Sequence, residues 1–236
     1  MVLVGKRILI LILLIIASPF VLLFHTAGNS SAQDDTEAYI YLIDSEPFGI
    51  PYYQWTESWW NWLIGIPEDT NPALDMDGKY CQQGMQDDYP VFFLVGSLNE
   101  TTSRSCTIPS NMSLLFPATT SFCYNTASMK KTEDELRVCA SLQKSDPDTN
   151  VIIDGINLNT FAYDIKNARV QSNLFNISVP ADSILGISPQ NVSGIAAGDW
   201  VFLKPGTLQS GNHEISFTGK LNGTRSDVSY SLDVPD

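Results

Sequence analysis

The strongest constraint on the fold lies near the C-terminus, where apolar and polar residues alternate with a period of two. The segment SDVSYSLDV places four apolar residues on one face: Val228, Tyr230, Leu232 and Val234. The preceding segment HEISFTG repeats the alternation. This pattern is typical of half-buried β-strands, because successive side chains point to opposite faces of a sheet. Asn222-Gly223 between the two segments predicts a β-hairpin.

Other short apolar runs are separated by clusters of Gly, Pro, Asn and Asp, which favours a β-sandwich over βαβ units. We predict strands in EAYIYLI, VFFLVG, SLLFP, NVIID, INLNTFAY, NLFNISV and WVFLK, with Asp154-Gly155 turning one pair. Since one sheet rarely holds so many strands, we expect two packed sheets. The expected fold class is all-β: a two-sheet β-sandwich, jelly-roll-like or Ig-like, with two short helices and a preceding N-terminal signal or anchor helix.

The first predicted helix is the stretch YYQWTESWWNWLIGIPEDTNP, residues 52–72, which contains four of the five tryptophans. One helical stripe is formed by Trp55, Trp59, Trp62, Leu63 and Ile66. We predict a helix from about Gln54 to Leu63 that buries this stripe against a sheet and leaves Glu57 and Asn61 in solvent. A carbohydrate-stacking surface and a lipid-contacting face are the alternatives. Trp60 faces away from the stripe, so the candidate ligand-binding residues are Trp60, Tyr52 and Tyr53.

The second predicted helix begins at a capping box, T-x-x-E, formed by Thr132 and Glu135. Leu136, Cys139 and Ala140 follow at helical spacing. This segment is therefore expected to be a short amphipathic helix.

The N-terminus has the layout of a secretory signal, with Lys6 and Arg7 ahead of an uncharged run from Ile8 to Phe24. A cleavage site after Ala32 fits a cleaved signal, whereas the length of the run also fits retention as an anchor. We predict residues 1–32 as a signal peptide or signal anchor and residues 33–236 as a single extracellular domain. The protein is then secreted or held at the cell surface, with membrane contact only through the N-terminal segment.

Four cysteines in an exported chain predict two disulfides. Three pairings are possible, and we favour Cys81–Cys106 and Cys123–Cys139 because neighbours in sequence close short loops at little entropic cost. The motif N-x-S/T occurs at six positions: Asn29, Asn99, Asn111, Asn176, Asn191 and Asn222. The five beyond the leader are predicted to be glycosylated surface sites.

The formal charge of −13 argues against nucleic acid as a partner, since phosphate binding needs clustered Lys and Arg. His213 is the only histidine beyond the leader, and it alternates with Ile215 and Phe217. We therefore interpret His213 as structural rather than catalytic. No G-x-S-x-G elbow and no Gly-rich phosphate loop is present in the sequence.

An acidic turn is predicted in NPALDMDGKYC, where Asp75 and Asp77 precede Gly78. Calcium prefers several oxygen ligands, so Asp75 and Asp77 are the candidate metal ligands and calcium is the candidate cofactor. No other cofactor is expected. The alternative, which we favour, is an Asx turn that fixes the loop before Cys81.

Several short motifs follow one another along the chain in a characteristic order. They are Trp-x-x-x-Trp-Trp-x-Trp from Trp55, Asn71-Pro72, Asp75-x-x-Gly78-x-x-Cys81, VFFLVG, Arg104-x-Cys106, LLFP, Ile153-Asp154-Gly155, Arg169-Val170 and Gly211-x-His213-x-Ile215-x-Phe217-x-Gly219. This order resembles a family of exported microbial, largely archaeal, β-rich proteins without an assigned biochemical activity. The resemblance covers nearly all of the exported chain and departs at Met76-Asp77, where an uncharged pair is expected. It implies one export-dependent β-rich domain and carries over no catalytic residue.

Three functions fit these features. The first is a non-catalytic, secreted or membrane-tethered domain that binds or scaffolds at the cell envelope, with envelope components or a glycan as partner. The second is a carbohydrate-binding module, and the third is a glycan-active or other extracellular hydrolase. The sequence offers no recognisable nucleophile with its base, which favours the first function over the third.

Overall fold

The computed structural model describes residues 38–98, 101–142, 148–160, 165–221 and 224–236. Two helices and ten strands are described: α1 (Tyr52–Gly65), α2 (Glu133–Leu142), β1 (Val91–Phe93), β2 (Thr101–Thr107), β3 (Ser113–Tyr124), β4 (Asn150–Ile153), β5 (Ile156–Asn157), β6 (Arg169–Gln171), β7 (Phe175–Val179), β8 (Gln190–Leu203), β9 (Gly211–Leu221) and β10 (Thr224–Val234). Short 3₁₀ turns occupy Pro47–Gly49, Glu68–Thr70, Cys81–Gly84, Leu158–Thr160 and Ile165–Asn167. The predicted leader, residues 1–32, lies outside the described residues.

The strands form two five-stranded sheets, as the alternating sequence pattern predicts. The first sheet has the order β1-β3-β8-β6, with β7 also pairing with β8. The second sheet has the order β2-β10-β9-β4-β5. The β1–β3 and β2–β10 pairs are parallel, and the other pairs are antiparallel.

The two sheets share a hydrophobic core between their facing sides. Phe92, Phe116 and Val201 enter it from the first sheet, and Phe217 and Leu232 enter it from the second. Phe116 and Phe217 stack at 5.1 Å between ring centroids across this interface. The arrangement is consistent with a β-sandwich.

Helix α1 covers the outer face of the first sheet. Its Trp55 and Trp59 pack with Phe93, Trp200 and Phe202 of the sheet. Burying aromatic side chains of this size stabilises the contact by several kcal/mol, on the order of 1.5–3 kcal/mol for each large apolar side chain. A second hydrophobic core therefore lies between α1 and the outer face of the first sheet.

Helix α2 packs on the opposite face of β8 from α1. Leu136 and Ala140 are buried against Ile195 and Ala197. The predicted capping box is present, since the backbone N–H of Thr132 donates to Oε2 of Glu135 at 2.7 Å and the N–H of Glu135 donates to Oγ1 of Thr132 at 3.2 Å.

Both disulfides favoured from the sequence are present in the structure. Cys81–Cys106 ties the 3₁₀ turn at Cys81–Gly84 to β2, and Cys123–Cys139 ties β3 to α2. Two structural disulfides indicate an oxidising, extracytoplasmic environment. Within the described part of the chain, no helix combines the length and the apolar character needed to cross a bilayer.

Several predicted boundaries were wrong. The described residues 38–43 of EAYIYLI form no strand: Ile40 makes an isolated bridge to Leu203, and the chain then turns at Ser45. In the described part of INLNTFAY, residues 156–160, the two-residue β5 is followed by a 3₁₀ turn. Strand β3 continues past Pro117 through a bulge to Tyr124, and β2, β6 and the first part of β8 were not predicted at all.

Candidate functional site

The tryptophans of α1 divide into buried and half-buried positions. Trp55 and Trp59 are each 2% exposed, and their indole N–H groups donate to the carbonyl oxygens of Pro47 at 3.0 Å and Leu94 at 2.9 Å. Trp59 also meets Trp200 edge-to-face at 5.3 Å between ring centroids. The indole N–H of each residue is therefore satisfied inside the protein, as expected of core tryptophans.

Trp62 is only half-buried, although the sequence placed it in the core stripe. Its indole N–H donates to the carbonyl oxygen of Gln83 at 2.6 Å, and its ring meets Phe93 edge-to-face. Glu57 is also half-buried rather than fully exposed, because its Oε1 accepts the backbone N–H of Asn173 at 3.1 Å. Burial raises the pKa of Glu57 above its ordinary value, although that hydrogen bond lowers it. Asn61 is exposed, as predicted.

Trp60 belongs to a half-buried row of three aromatic rings, which we call the aromatic stack: Trp60, Phe122 and Tyr124. The rings of Trp60 and Phe122 stack at 5.4 Å with 29° between their planes. The rings of Phe122 and Tyr124 stack at 5.3 Å and 18°. The indole N–H of Trp60 donates to Oγ1 of Thr120 at 3.2 Å, which holds the ring against β3. The stack therefore presents partly exposed π-surface along one face of β3.

A pocket of about 320 Å³ lies at one end of the aromatic stack. It forms where the chain after β1 leaves β3: the N–H of Leu94 still donates to Leu115 at 3.0 Å, whereas the N–H of Ser97 donates to Oγ of Ser226 in β10 at 3.0 Å. Its walls come from α1, from residues 95–98, from β3 and from the β9–β10 hairpin. The volume is at the lower end of the range for small-molecule sites, roughly 300–1,000 Å³.

The pocket lining is apolar with a few hydroxyl groups. Among the described residues that line it none is charged, and Ser97, Thr119, Thr120 and Ser226 supply hydroxyls. The hydroxyl of Thr119 donates to Oδ2 of the buried Asp199 at 3.1 Å. A lining of this kind suits an uncharged ligand that has both apolar and hydroxylated faces.

Gly219 lets the second sheet approach the β3 bulge beside the pocket. A Cβ atom at Gly219 would lie 2.2 Å from the carbonyl oxygen of Ala118, which no neighbouring backbone can accommodate. Gly219 also lines the pocket. The close approach of β9 to β3 beside the pocket therefore requires glycine at this position.

Two of the predicted ligand-binding residues lie away from the pocket. Tyr52 is 1% exposed and meets Phe202 edge-to-face at 5.8 Å between ring centroids. Tyr53 is half-buried, and its hydroxyl accepts a hydrogen bond from Nε2 of Gln54 at 3.2 Å. Of the three candidates, only Trp60 lines the pocket. Phe122, Tyr124 and the pocket hydroxyls had no signal in the sequence.

The acidic turn is held by its own backbone. The carboxylate of Asp75 accepts the N–H groups of Asp77 at 3.2 Å, Gly78 at 3.1 Å and Tyr80 at 2.7 Å. Burial raises the pKa of Asp75, but these hydrogen bonds outweigh it and hold the pKa below its ordinary value. Oδ1 of Asp77 accepts the N–H of Lys79 at 3.1 Å. In the described ranges, no three His, Cys, Asp or Glu side chains come together as a metal-binding group.

Arg104, which the sequence analysis named only as part of the motif Arg104-x-Cys106, is a buried cation beneath this turn. It is 2% exposed, and its guanidinium donates to the carbonyl oxygens of Asp75 at 2.7 Å and Val95 at 2.8 Å. Nη1 also donates to the hydroxyl of Tyr230 at 2.8 Å. Arg104 therefore joins the acidic turn, the pocket wall at Val95 and the second sheet.

His213 lies near the start of β9, and both of its ring nitrogens have a hydrogen-bond partner. Its Nδ1 pairs with Oδ2 of Asp154 and its Nε2 with the carbonyl oxygen of Gln209, each at 2.7 Å. Burial lowers the pKa of His213, but the hydrogen bonds to Asp154 and Gln209 outweigh it, so the pKa is raised. A ring with an oxygen acceptor on both nitrogens is suited to holding a proton, which differs from the free base nitrogen that a nucleophilic triad requires.

Three of the predicted glycosylation sites are described, and all three are exposed: Asn111, Asn176 and Asn191. Asn29, Asn99 and Asn222 lie outside the described residues. Asn111 sits at the turn before β3 with φ of +61°, whereas Asn176 and Asn191 lie within strands β7 and β8.

Comparison with protein-family models, with curated proteins and with solved structures finds no match to this chain.

Proposed function

We propose that this protein is an exported, non-catalytic binding domain that acts at the cell envelope, either secreted or tethered by its N-terminal segment. The observation that carries the proposal is the aromatic stack beside an uncharged pocket. Trp60, Phe122 and Tyr124 all stay partly exposed, and Trp60 also lines the cavity. Contiguous exposed apolar surface of this kind marks interaction sites.

The two disulfides support a role outside the cytoplasm. They fix the 3₁₀ turn at Cys81–Gly84 to β2 and α2 to β3. A binding domain that works outside the cytoplasm benefits from such covalent links, because each contributes about 2–4 kcal/mol of stability.

The second candidate function is a carbohydrate-binding module, and the aromatic stack favours it. The C–H faces of a pyranose ring stack on indole and phenol rings, and its hydroxyls exchange hydrogen bonds with side chains such as Ser97 and Ser226. A neutral glycan suits the site better than an anionic one. The described lining residues bring no cation to pair with an anion, and the whole chain carries −13.

The experiment is a binding titration of the exported protein against a panel of neutral oligosaccharides and isolated envelope polysaccharide. Tryptophan fluorescence and calorimetry measure the binding. Trp60→Ala and Tyr124→Ala are expected to weaken binding at least tenfold, because each removes a ring of the stack. Trp62→Ala is the matched control: Trp62 is a half-buried tryptophan of the same helix, but it belongs neither to the aromatic stack nor to the pocket lining.

A uniform loss of affinity in all three variants would contradict the assignment of the site. Binding of none of these glycans would remove the carbohydrate candidate. The broader envelope proposal is then tested by retention of the wild-type protein, but not of Trp60→Ala, on isolated cell envelopes.

A further inference from the structure

Two N-glycosylation motifs face each other across a pair of strands. Asn176-Ile-Ser178 lies on β7 and Asn191-Val-Ser193 lies on β8. In the antiparallel register, Asn176 is opposite Ser193 and Ser178 is opposite Asn191. Each motif therefore places its asparagine against the hydroxyl residue of the other.

All four polar residues share one face of the sheet. Asn176, Ser178 and Asn191 are exposed and Ser193 is half-buried. The residues between them point the other way, with Ile177 and Val192 each 1% exposed beneath Ile64 of α1. Because the apolar face is fixed under α1, the register cannot slip by one residue without burying the motifs. The fold thus holds both asparagines outward.

We infer that Asn176 and Asn191 both carry N-linked glycans and form one glycosylated face. In each transfer, Nδ2 of the asparagine forms a bond to the anomeric carbon of a lipid-linked oligosaccharide. The bond from that carbon to the lipid phosphate oxygen breaks, the lipid phosphate leaves with the electron pair, and the proton lost from Nδ2 passes to solvent. The linkage formed is an uncharged amide.

The register also determines when the transfers occur. A transferase takes the Asn-x-Ser backbone into its own site, but in the folded protein these residues are paired with the neighbouring strand. Separating β7 from β8 would expose Phe175 and Ile177, which pack beneath α1. Both glycans are therefore added before β7 and β8 pair, during or directly after export.

The glycosylated face is the reverse side of the sheet from the aromatic stack. Cross-strand partners share a face of the sheet, so Phe122 of the stack lies on the same face as its partner Ala196. Because side chains alternate along β8, Ala196 lies on the opposite face from Asn191 and Ser193. Glycans on Asn176 and Asn191 therefore cover one side of this end of the sheet and leave the stack uncovered.

The first test is glycopeptide mass spectrometry of the full chain exported from a host that performs N-glycosylation. Asn176 and Asn191 are expected to be occupied. Ser178→Ala should remove the glycan at Asn176 and keep that at Asn191, whereas Ser193→Ala should do the reverse. Ser178→Thr and Ser193→Thr are the matched controls, because threonine preserves the motif and suits a strand. If either Asn176 or Asn191 is unmodified in a protein that is modified at Asn111, the inference is overturned.

The second test concerns timing. Protein made without glycosylation is presented to the purified transferase and its lipid-linked donor, once folded and once reduced and unfolded. Asn176 and Asn191 should be modified only in the unfolded chain. Equal modification of the two sites in the folded protein would show that strand pairing does not block transfer, and that part of the inference would be wrong.

Discussion

Arg104 of β2 and Tyr230 of β10 are direct cross-strand partners, and Nη1 of Arg104 donates to the hydroxyl of Tyr230 at 2.8 Å inside the core. The same hydroxyl donates to the carbonyl oxygen of Val95 at 2.8 Å. Val95 belongs to the segment that leaves the first sheet to form the pocket wall. This relay therefore connects a buried cation to the position of the candidate site.

The first prediction follows from the shared hydroxyl. Tyr230→Phe should lower the free energy of unfolding by about 1–3 kcal/mol, because a buried guanidinium and a carbonyl each lose a partner. Urea unfolding with the disulfides intact measures the change. Tyr39→Phe serves as the control, since Tyr39 is 57% exposed and should change stability little.

Arg104→Met extends this prediction, because it removes the donor to several buried carbonyl oxygens at once. The loss should exceed that of Tyr230→Phe. If Arg104→Met were as stable as the wild type, the carbonyl groups would have to find water, and the relay would have no structural role.

The buried Arg104 also explains why strand β2 could not be predicted from the sequence. Strand β2, TTSRSCT, alternates exposed and buried positions perfectly, but its buried residues are Thr102, Arg104 and Cys106. Two of these are polar or charged, so the hydrophobic pattern that predicts strands is absent. Arginine is almost never fully buried unless its donors are paired. Its partners here come from elsewhere in the chain and leave no local signal.

The second prediction concerns the disulfides. Replacing Cys123 and Cys139 together with alanine should destabilise the protein by about 2–4 kcal/mol, and the loss should fall mainly on α2, which that bond holds on β3. Hydrogen exchange of the α2 amides measures the local effect. The Cys81–Cys106 double variant is the control and should loosen the acidic turn instead. Peptide mapping under non-reducing conditions checks both pairings directly.

The third prediction is a pH dependence centred on His213. Since the folded-state pKa of His213 is raised, its stabilising contribution is complete below the unfolded-state value near 6.5 and is lost as the pH rises through the folded-state pKa. Wild-type stability should thus fall above about pH 6.5 by an amount that is absent in His213→Gln. Asp154→Asn, which keeps the turn but removes the charge, should lower the pKa of His213 measured by NMR.

A superimposable pH profile for wild type and His213→Gln would show that the His213–Asp154 pair does not contribute. Turnover of chromogenic esters or glycosides that disappears in His213→Gln would instead revive the hydrolase alternative.

The fourth prediction separates the two interpretations of the acidic turn. Asp75→Ala should cost about 1–3 kcal/mol, because three backbone N–H groups lose their acceptor. We expect the loss to be the same with calcium and with a chelator, since the turn itself already uses the Asp75 oxygens. Because the folded-state pKa of Asp75 is lowered, its contribution to stability is present above the unfolded-state value of about 3.9 and is lost as the pH falls through the folded-state pKa.

The control for this experiment is Asp77→Asn, which keeps an acceptor for Lys79 but removes one charge. A melting temperature that rises with calcium in the wild type and not in Asp77→Asn would establish the metal site instead.

The candidate site could be predicted only in part, for a geometric reason. The helical stripe of α1 is local, so its spacing alone indicated that Trp55 and Trp59 are buried and that Trp60 faces elsewhere. The pocket brings Trp60 together with Ser97, Thr119 and Gly219, which lie far apart in the chain. Their proximity depends on a bulge in β3 and on the point where the chain after β1 leaves the sheet, and neither has a sequence signature.

The last prediction compares neighbouring tryptophans of α1. Trp59→Ala should lower the free energy of unfolding by about 3–5 kcal/mol, because it opens a cavity against Trp200 and leaves the carbonyl oxygen of Leu94 without its hydrogen-bond donor. Trp60→Ala should cost much less, since its ring is half-buried and its contact with Phe122 is worth only about 0.5–1.5 kcal/mol beyond the buried area. Chemical denaturation of both variants, with Trp62→Ala as a half-buried reference, gives the comparison. A Trp59→Ala protein as stable as the wild type would contradict the core position of Trp59, whereas a large loss of stability in Trp60→Ala would mean that the aromatic stack supports the fold instead of a ligand.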